Sequence, residues 1–328
     1  MIVVTGGAGF IGSNLLVGLE ERGARELIVC DRLGRGEKWR NIAKRELAAI
    51  VPPEELLPFL EAEAGRIETL FHLGAISSTT ETDADLVVAQ NFTLTMRLWN
   101  WCARHAVPFV YASSAATYGA GEAGFDDDWS SAALARIRPL NLYGWSKHIA
   151  DRRIARIVEA GGAAPPHWVG LKFFNVYGPN EAHKGAMMSL VPQLLPRAQE
   201  GEPARLFRSH NPAYADGGQL RDFIHVGDCV AMTLWLWRNT EVNGIFNIGT
   251  GRARSFADLA AATYRAIGRE PLYEFVDTPP AIRDKYQYFT EARIDRLRAA
   301  GYDAAITSLE DGVAGYVRDH LLAADPYR

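Results

Sequence analysis

The chain has 328 residues, 48% of them hydrophobic and 23% charged, enough to bury a sizeable core in one large or two modest domains. Its formal net charge of -4 gives no general attraction to nucleic acid or to an anionic membrane. Cys30, Cys102 and Cys229 are odd in number, far apart and without metal-ligand spacing, which argues against a disulfide framework or a metal centre.

The chain opens directly on a strand pattern with no basic leader, and no apolar run approaches the roughly 18 residues of a membrane span, so a reduced cytoplasmic compartment is expected. Ile2-Val3-Val4 predicts a buried strand. It feeds Thr5-Gly-Gly-Ala-Gly-Phe-Ile-Gly12 and then an amphipathic stretch, Ser13 to Arg22. Strand, glycine-rich turn and helix in that order are the setting a dinucleotide fingerprint requires. Gly6, Gly9 and Gly12 follow G-x-x-G-x-x-G and would supply a tight turn, close approach to a pyrophosphate and close helix packing. The phosphates would sit on the helix N-terminus, where free N–H groups and the dipole favour anions.

A second strand, Leu27 to Cys30, ends in Asp31. An acid there usually accepts ribose hydroxyls and favours NAD. Arg32, Arg35 and Lys38 follow; they could bind a 2′-phosphate and favour NADP, or be solvated loop charge. Residues 40–66 read as mixed helix, with Pro52-Pro53 starting a new one. Thr69 to His72 is a further strand, and the small residues Leu73 to Thr80 follow at its C-terminal end, where doubly wound sheets bind ligands. Ser77, Ser78 and Thr79 could reach cofactor or substrate hydroxyls, or cap the next helix. That helix, Asp83 to Arg104, carries Asn91. Val107 to Ala112 is the next strand, with Ser113 to Gly119 at its end, and Asp126-Asp-Asp128 reads as an exposed acidic loop.

In Asn141-Leu-Tyr-Gly-Trp-Ser-Lys147, Tyr143 and Lys147 are four apart, which on a helix puts both on one face. An ammonium beside a phenol favours the phenolate, so the tyrosine pKa is expected to fall and make it a usable acid/base. The helix 141–160 ends at Gly161-Gly162, Trp168 to Phe174 is a strand, and Asn175-Val-Tyr-Gly-Pro179 follows.

With T-G-G-A-G-F-I-G, the H-x-G-A loop His72–Ala75, S-S-A-A-T-Y-G and Y-x-x-x-K, the chain resembles the extended short-chain dehydrogenase/reductases that act on nucleotide sugars as epimerases and dehydratases. The resemblance implies an α/β Rossmann fold, a doubly wound parallel sheet, over residues 1–174. Residues 175–328 would be mainly a smaller mixed α/β substrate domain, with about 220–250 returning to the first. It implies a Ser114, Tyr143 and Lys147 triad. Ser114 would bond the reacting hydroxyl, Tyr143 would move its proton, and Lys147 would hold the cofactor ribose and depress the tyrosine pKa. The cofactor, NADP with NAD as the other possibility, would meet Gly6, Gly9, Phe10, Ile11 and Gly12 in the first turn. It would also meet Asp31, Arg32 and Lys38; Leu73, Gly74, Ala75, Ile76 and Ser77; and Asn91, Lys147, Val176 and Lys184.

Dehydratases carry an Asp-Glu pair after the catalytic hydroxyl residue; here Ala115-Ala116-Thr117 stands instead, which counts against dehydration. The segment His183-Lys-Gly185, with Ser77-Ser-Thr-Thr-Glu81, is similar to the 6-epimerases of ADP-heptose. In that group the lysine is a second acid/base, so Lys184 joins the catalytic residues; the plainer reading is a phosphate-binding or solvated lysine. The implied substrate, an ADP-heptose of the lipopolysaccharide core, would meet Ser78, Asn175, Ala186, Gln193, Phe207, Arg208, Ser209, His210, Arg221 and Tyr286. Arg221 suits a diphosphate; a salt bridge to Asp222 or Asp228 is the lesser alternative. Phe246 to Gly251 is similar to a family turn of structural use, Asn211 to Gln219 reads as an inserted loop, and residues 290–322 read as terminal helices. Three positions depart from the pattern: Pro53 replaces a cofactor-contacting lysine, Ala186 a serine and Gln193 a histidine. A homo-oligomer, a pentamer by resemblance, is expected, with no nucleic-acid or membrane partner. The alternatives are a 4-epimerase of the UDP-galactose type and a redox-sensing module without turnover.

Overall fold

The computed structural model describes residues 1–279, 283 and 287–328. Lys285 and Tyr286, expected at the substrate, lie outside the described residues. Seven parallel strands form the main sheet, in the spatial order β10-β6-β5-β4-β1-β2-β3. They are β1 (Ile2–Thr5), β2 (Leu27–Cys30), β3 (Ala49–Val51), β4 (Thr69–His72), β5 (Phe109–Ser114), β6 (Trp168–Phe173) and β10 (Gly244–Ile248). The order reverses beside β1, which pairs with β2 on one side and β4 on the other. This is the doubly wound Rossmann arrangement, and the reversal opens a crevice at the C-terminal ends of those strands.

The short apolar runs are explained by burial on both faces. Ile2 and Val4 pack into one core cluster, and Met1 and Val3 into the other. Helix α1 (Phe10–Glu20) covers the first face and α2 (Leu94–His105) packs on the second through Leu98 and Trp99. The expected long helix 83–104 is present as one run, residues 84–105, with Val88–Thr93 a π-helical segment ahead of α2. Within 40–66 the reading as mixed helix missed β3, because only Ala49, Ile50 and Val51 pair, too short a run for a period to show.

Helix α3 (Leu142–Glu159) is capped by Asn141, whose side chain accepts from Gly144 N at 2.8 Å. Beyond β6 the chain forms two smaller sheets. In one, β7 (Asn175–Tyr177), β9 (Leu220–His225) and β11 (Ala253–Ser255) run in the order β11-β9-β7. The other pairs β8 (Ala204–Phe207) with β12 (Tyr273–Val276). Between them lie α4 (Leu190–Glu200), α5 (Val226–Arg238), which packs on α1, and α6 (Phe256–Arg265).

Asp222 joins two landmarks. Its carboxylate accepts from Thr250 N and Oγ1 (2.7 Å each), Gly251 N (2.9 Å) and Ala292 N (3.0 Å), fixing the turn after β10. In the acidic loop 126–128, Asp126 and Asp128 are exposed as expected and Asp127 is not. Asp127 is buried, accepts from Asn247 N at 2.9 Å, and burial raises its pKa to about 6. Among the described residues no helix is long and apolar enough to cross a membrane.

Candidate active site

The crevice at the sheet reversal is a cleft of about 350 Å³. The glycine turn forms its floor. Gly6 has φ +69°, and a Cβ there would lie 2.6 Å from Gly74 N; a Cβ on Gly12 would lie 2.1 Å from Gly6 O. Gly9 caps α1 without a side chain, and no acidic residue sits in the first turn, so the helix end faces the cleft as a ready anion site. Asp31 at the end of β2 accepts from Ala8 N (3.0 Å) and from Lys38 Nζ (2.6 Å), and both Asp31 and Lys38 line the cleft. A concave wall, an open helix N-terminus and an acid at the end of β2 fit a dinucleotide, with its pyrophosphate on Gly9–Gly12 and an adenosine ribose at Asp31.

The loop after β4 is held by a buried chain of hydrogen bonds. Gly74 N donates to Thr5 Oγ1 (3.1 Å), which contacts His72 Nδ1 (2.7 Å); His72 Nε2 contacts Thr95 Oγ1 (3.0 Å), which donates to Asn91 O (2.7 Å). These partners give His72 one consistent neutral tautomer, and burial lowers its pKa to about 3. Asn91 is fully buried. It clasps Ile76 by both backbone groups, at 2.8 and 2.9 Å, and donates to Ser146 Oγ at 2.9 Å. It therefore shapes the loop rather than lining the cleft.

Ser114, Tyr143, Lys147 and Lys184 come together around this same cleft. Ser114 ends β5, and its Oγ accepts from Ala116 N at 3.1 Å. Tyr143 and Lys147 share one face of α3, and Lys147 Nζ donates to Ala112 O at 2.8 Å. The expectation of a lowered tyrosine pKa is corrected. Burial raises Tyr143, Asp151 adds to the rise, and a hydrogen bond from Ser114 opposes it. Helical spacing put the lysine near the phenol but could not reveal that the lysine is buried with its ammonium spent on Ala112 O, or that desolvation dominates at the half-buried phenol. Burial lowers Lys147 from 10.5 to about 8, and Asp151 pulls it back up.

The folded protein thus binds this proton more weakly than the unfolded chain does. The cost of burying the ammonium is full below about pH 8 and fades as pH rises toward 10.5. Lys147→Met is expected to raise thermal stability at pH 7 relative to the native protein, with the advantage shrinking above pH 8. Melting curves across that range check it; an advantage that grows with pH would contradict it.

Lys184 reaches the cleft from the 3₁₀ segment Ala182–Met187, between β7 and α4. Its Nζ stands 5.4 Å from the centre of the Phe10 ring, and burial lowers its pKa while Glu181 opposes. Glu181 is buried and anchors the segment, accepting from Ser189 Oγ (2.7 Å) and Gly178 N (3.3 Å). Asn41, which the sequence did not single out, ties this segment to the glycine turn. Its Nδ2 donates to Ala8 O (2.9 Å) and Asn180 O (3.1 Å) and stands 3.0 Å from His183 Nδ1.

Of the other expected cofactor residues, Phe10, Ile11, Leu73, Gly74, Ala75, Ser77 and Val176 line the cleft. Ile76 does not, its backbone being held by Asn91, and neither does Arg32, which pairs with Glu54 at 2.5 Å on the surface. Ser113, Phe173, Phe174, His183 and Met187 also line it and were missed. The expected substrate residues other than Tyr286 lie outside the lining. Gln193 donates to Met188 O and Ser189 O, and Arg208 to Phe275 O; Ser209 Oγ donates to Asn211 O, and His210 N donates to Tyr288 OH. Asn175 and Ala186 are exposed, Phe207 is half-buried at the end of β8, and Ser78 Oγ contacts Thr80 Oγ1. Arg221 donates to Leu220 O, contacts Gln287 O and stacks 5.6 Å from the Phe256 ring centre.

A dinucleotide crevice that brings together Ser114, Tyr143, Lys147 and Lys184 marks a redox enzyme class, and the chain belongs to the NAD dependent epimerase/dehydratase family, whose profile matches residues 2–249. It is 46% identical, over the whole length of both chains, to a protein of Nitratidesulfovibrio vulgaris (strain DP4) named ADP-L-glycero-D-manno-heptose-6-epimerase. The solved Helicobacter pylori ADP-L-glycero-D-manno-heptose-6-epimerase is similar at 25% identity and a TM-score of 0.80, over 97% of this chain and 95% of that one. MoeE5, solved with UDP-glucose and NAD, is similar at 29% identity and a TM-score of 0.75, over 96% and 97%.

Proposed function

We propose that the protein inverts C6 of ADP-D-glycero-β-D-manno-heptose to give the L-glycero epimer, supplying heptose for the lipopolysaccharide core. The observation that carries this reading is a second proton-transfer candidate, Lys184, in the cleft that holds Tyr143. The 46% identity to a full-length relative of that name supports it.

A bound nicotinamide dinucleotide would supply the oxidation and re-reduction. Gly6, Gly9 and Gly12 would seat its pyrophosphate, and Asp31 with Lys38 its adenosine ribose. NADP is the proposed form: Lys38 stands at the cleft beside Asp31 and can turn from that carboxylate to a 2′-phosphate. Ser114 would orient the C6 hydroxyl. Inversion returns hydrogen to the opposite face of C6, so the C6 end must rotate and its oxygen must occupy two positions. Tyr143 would hold or release the proton at one position and Lys184 at the other. Lys184 suits the role because burial already weakens its hold on a proton.

Separate incubation of the purified protein with ADP-D-glycero-D-manno-heptose and with UDP-glucose tests the reading. Inversion of the heptose is expected, and turnover of UDP-glucose alone would replace the reading with a 4-epimerase. Equal affinity for NADP and NAD in a binding titration would contradict the cofactor assignment.

A further inference from the structure

Ser114, Tyr143 and Lys147 come from two elements, β5 and α3, and a buried ion pair behind them joins those elements. Asp151 lies on α3 one turn beyond Lys147, with no exposed surface. Its carboxylate accepts from Tyr111 OH (3.0 Å) and Ser113 Oγ (2.7 Å), both on β5, and from Lys172 Nζ (2.8 Å) on β6. Lys172 Nζ also donates to Thr117 Oγ1 (2.6 Å) and stands 4.8 Å from the centre of the Tyr118 ring. Thr117 Oγ1 in turn donates to Ser114 O at 2.8 Å. Ser114 is therefore gripped on both sides, through Ser113 and through Thr117, by one ion pair rooted on the helix that carries Tyr143 and Lys147.

Stability alone does not account for the pair. A buried ion pair can often be replaced by apolar residues with no loss of stability, whereas removing one partner strands a charge. We propose that Asp151 and Lys172 form a positioning unit for Ser114, Tyr143 and Lys147, in which Asp151 fixes α3 against the end of β5 and the balance of the two charges holds Lys147 in its ammonium form. The inference rests on the reading of these three residues as a proton-transfer centre.

The titratable groups that share the charges of Asp151, Lys172 and Lys147 are drawn from several elements. On α3 they are Tyr143, His148 and Asp151; on β5, Tyr111; on β6, Lys172; on β4, His72; and Lys184 lines the same cleft from its loop. Burial keeps Tyr111 and Tyr143 protonated, and holds His72 and His148 neutral at about 3 and 4.

The two halves of the pair pull on Lys147 in opposite directions, and that separates positioning by charge from a merely structural role. The measurement is a side-chain NMR titration of the cofactor-free protein, with the Lys147 resonance assigned by its loss in Lys147→Met. Asp151→Asn is expected to lower the Lys147 midpoint by about one pH unit or more, and Lys172→Met to raise it by a similar amount. The double variant, with no stranded charge, is expected to return toward the native value. The alkaline limb of the activity profile should move in the same order. Single variants that shift the midpoint in the same direction, or leave it in place, overturn the proposal. If Asp151→Asn does not fold, Lys172→Met and the double variant carry the test, and a double variant below the native midpoint overturns it. The titration needs no turnover. Midpoints in the stated order in a protein that epimerises neither sugar overturn the functional reading alone; an active enzyme with unmoved midpoints overturns this inference alone.

Discussion

Tyr143→Phe is expected to lower kcat for epimerisation by roughly 10²- to 10⁴-fold, the usual contribution of a positioned acid/base. The change removes one hydroxyl and little else. The Asn141 cap of α3, the bond from Lys147 to Ala112 O and the glycine turn all stay, so dinucleotide affinity and melting temperature should barely move. The pH profile carries a second sign. Because burial raises Tyr143, the deprotonated fraction grows with pH, while Lys147 loses its supporting charge near about 8. Native activity should climb through neutral pH and level or fall beyond that point, and the residual activity of the Phe variant should lack the climb. Rate measurements on cofactor-loaded protein across this range check both; a Phe variant with near-native kcat would remove Tyr143 from the chemistry.

Lys184→Ala is expected to cost a similar factor, roughly 10²- to 10⁴-fold in kcat, with KM less affected. The segment that carries it is anchored by Glu181, Asn180 and Asn41 rather than by the lysine side chain, so the fold should persist. Lys184→Arg should not rescue the rate, since a guanidinium keeps the charge but does not give up a proton at working pH. Full activity in Lys184→Ala, or rescue by Arg, would reduce the lysine to a phosphate-binding or electrostatic role.

What could be read before folding was what depends on near neighbours in the chain. Gly6, Gly9 and Gly12 were legible because a tight turn and a close backbone approach demand glycine at fixed spacing, and the turn meets those demands. Tyr143 and Lys147 were legible from helical spacing, and Ser114 and Lys184 from a resemblance. The unread parts are pairings made at long range. Asn41 meets His183 from 142 residues away, and nothing beside either position announces it. Asp127 lies in what reads as a solvated acidic run, yet it is needed under β10. The Asp151–Lys172 pair had a usable signal: a lysine in the middle of the apolar run Trp168–Phe173 requires a buried partner, and Asp151 lies one turn past Lys147. The sign of the Tyr143 shift was missed for a related reason. Spacing places two side chains on one face, but it does not say how deeply the rest of the fold buries them.

The central claim is that one cleft oxidises and re-reduces C6 while moving protons between two oxygen positions. Substrate carrying deuterium at C6 tests it most directly, with the product analysed by NMR after turnover in ordinary water. Transfer of that hydrogen to a bound nicotinamide and back to the other face predicts an L-glycero product that keeps its deuterium at C6. Product that has exchanged deuterium for solvent hydrogen would mean inversion by deprotonation at carbon, and would contradict the account.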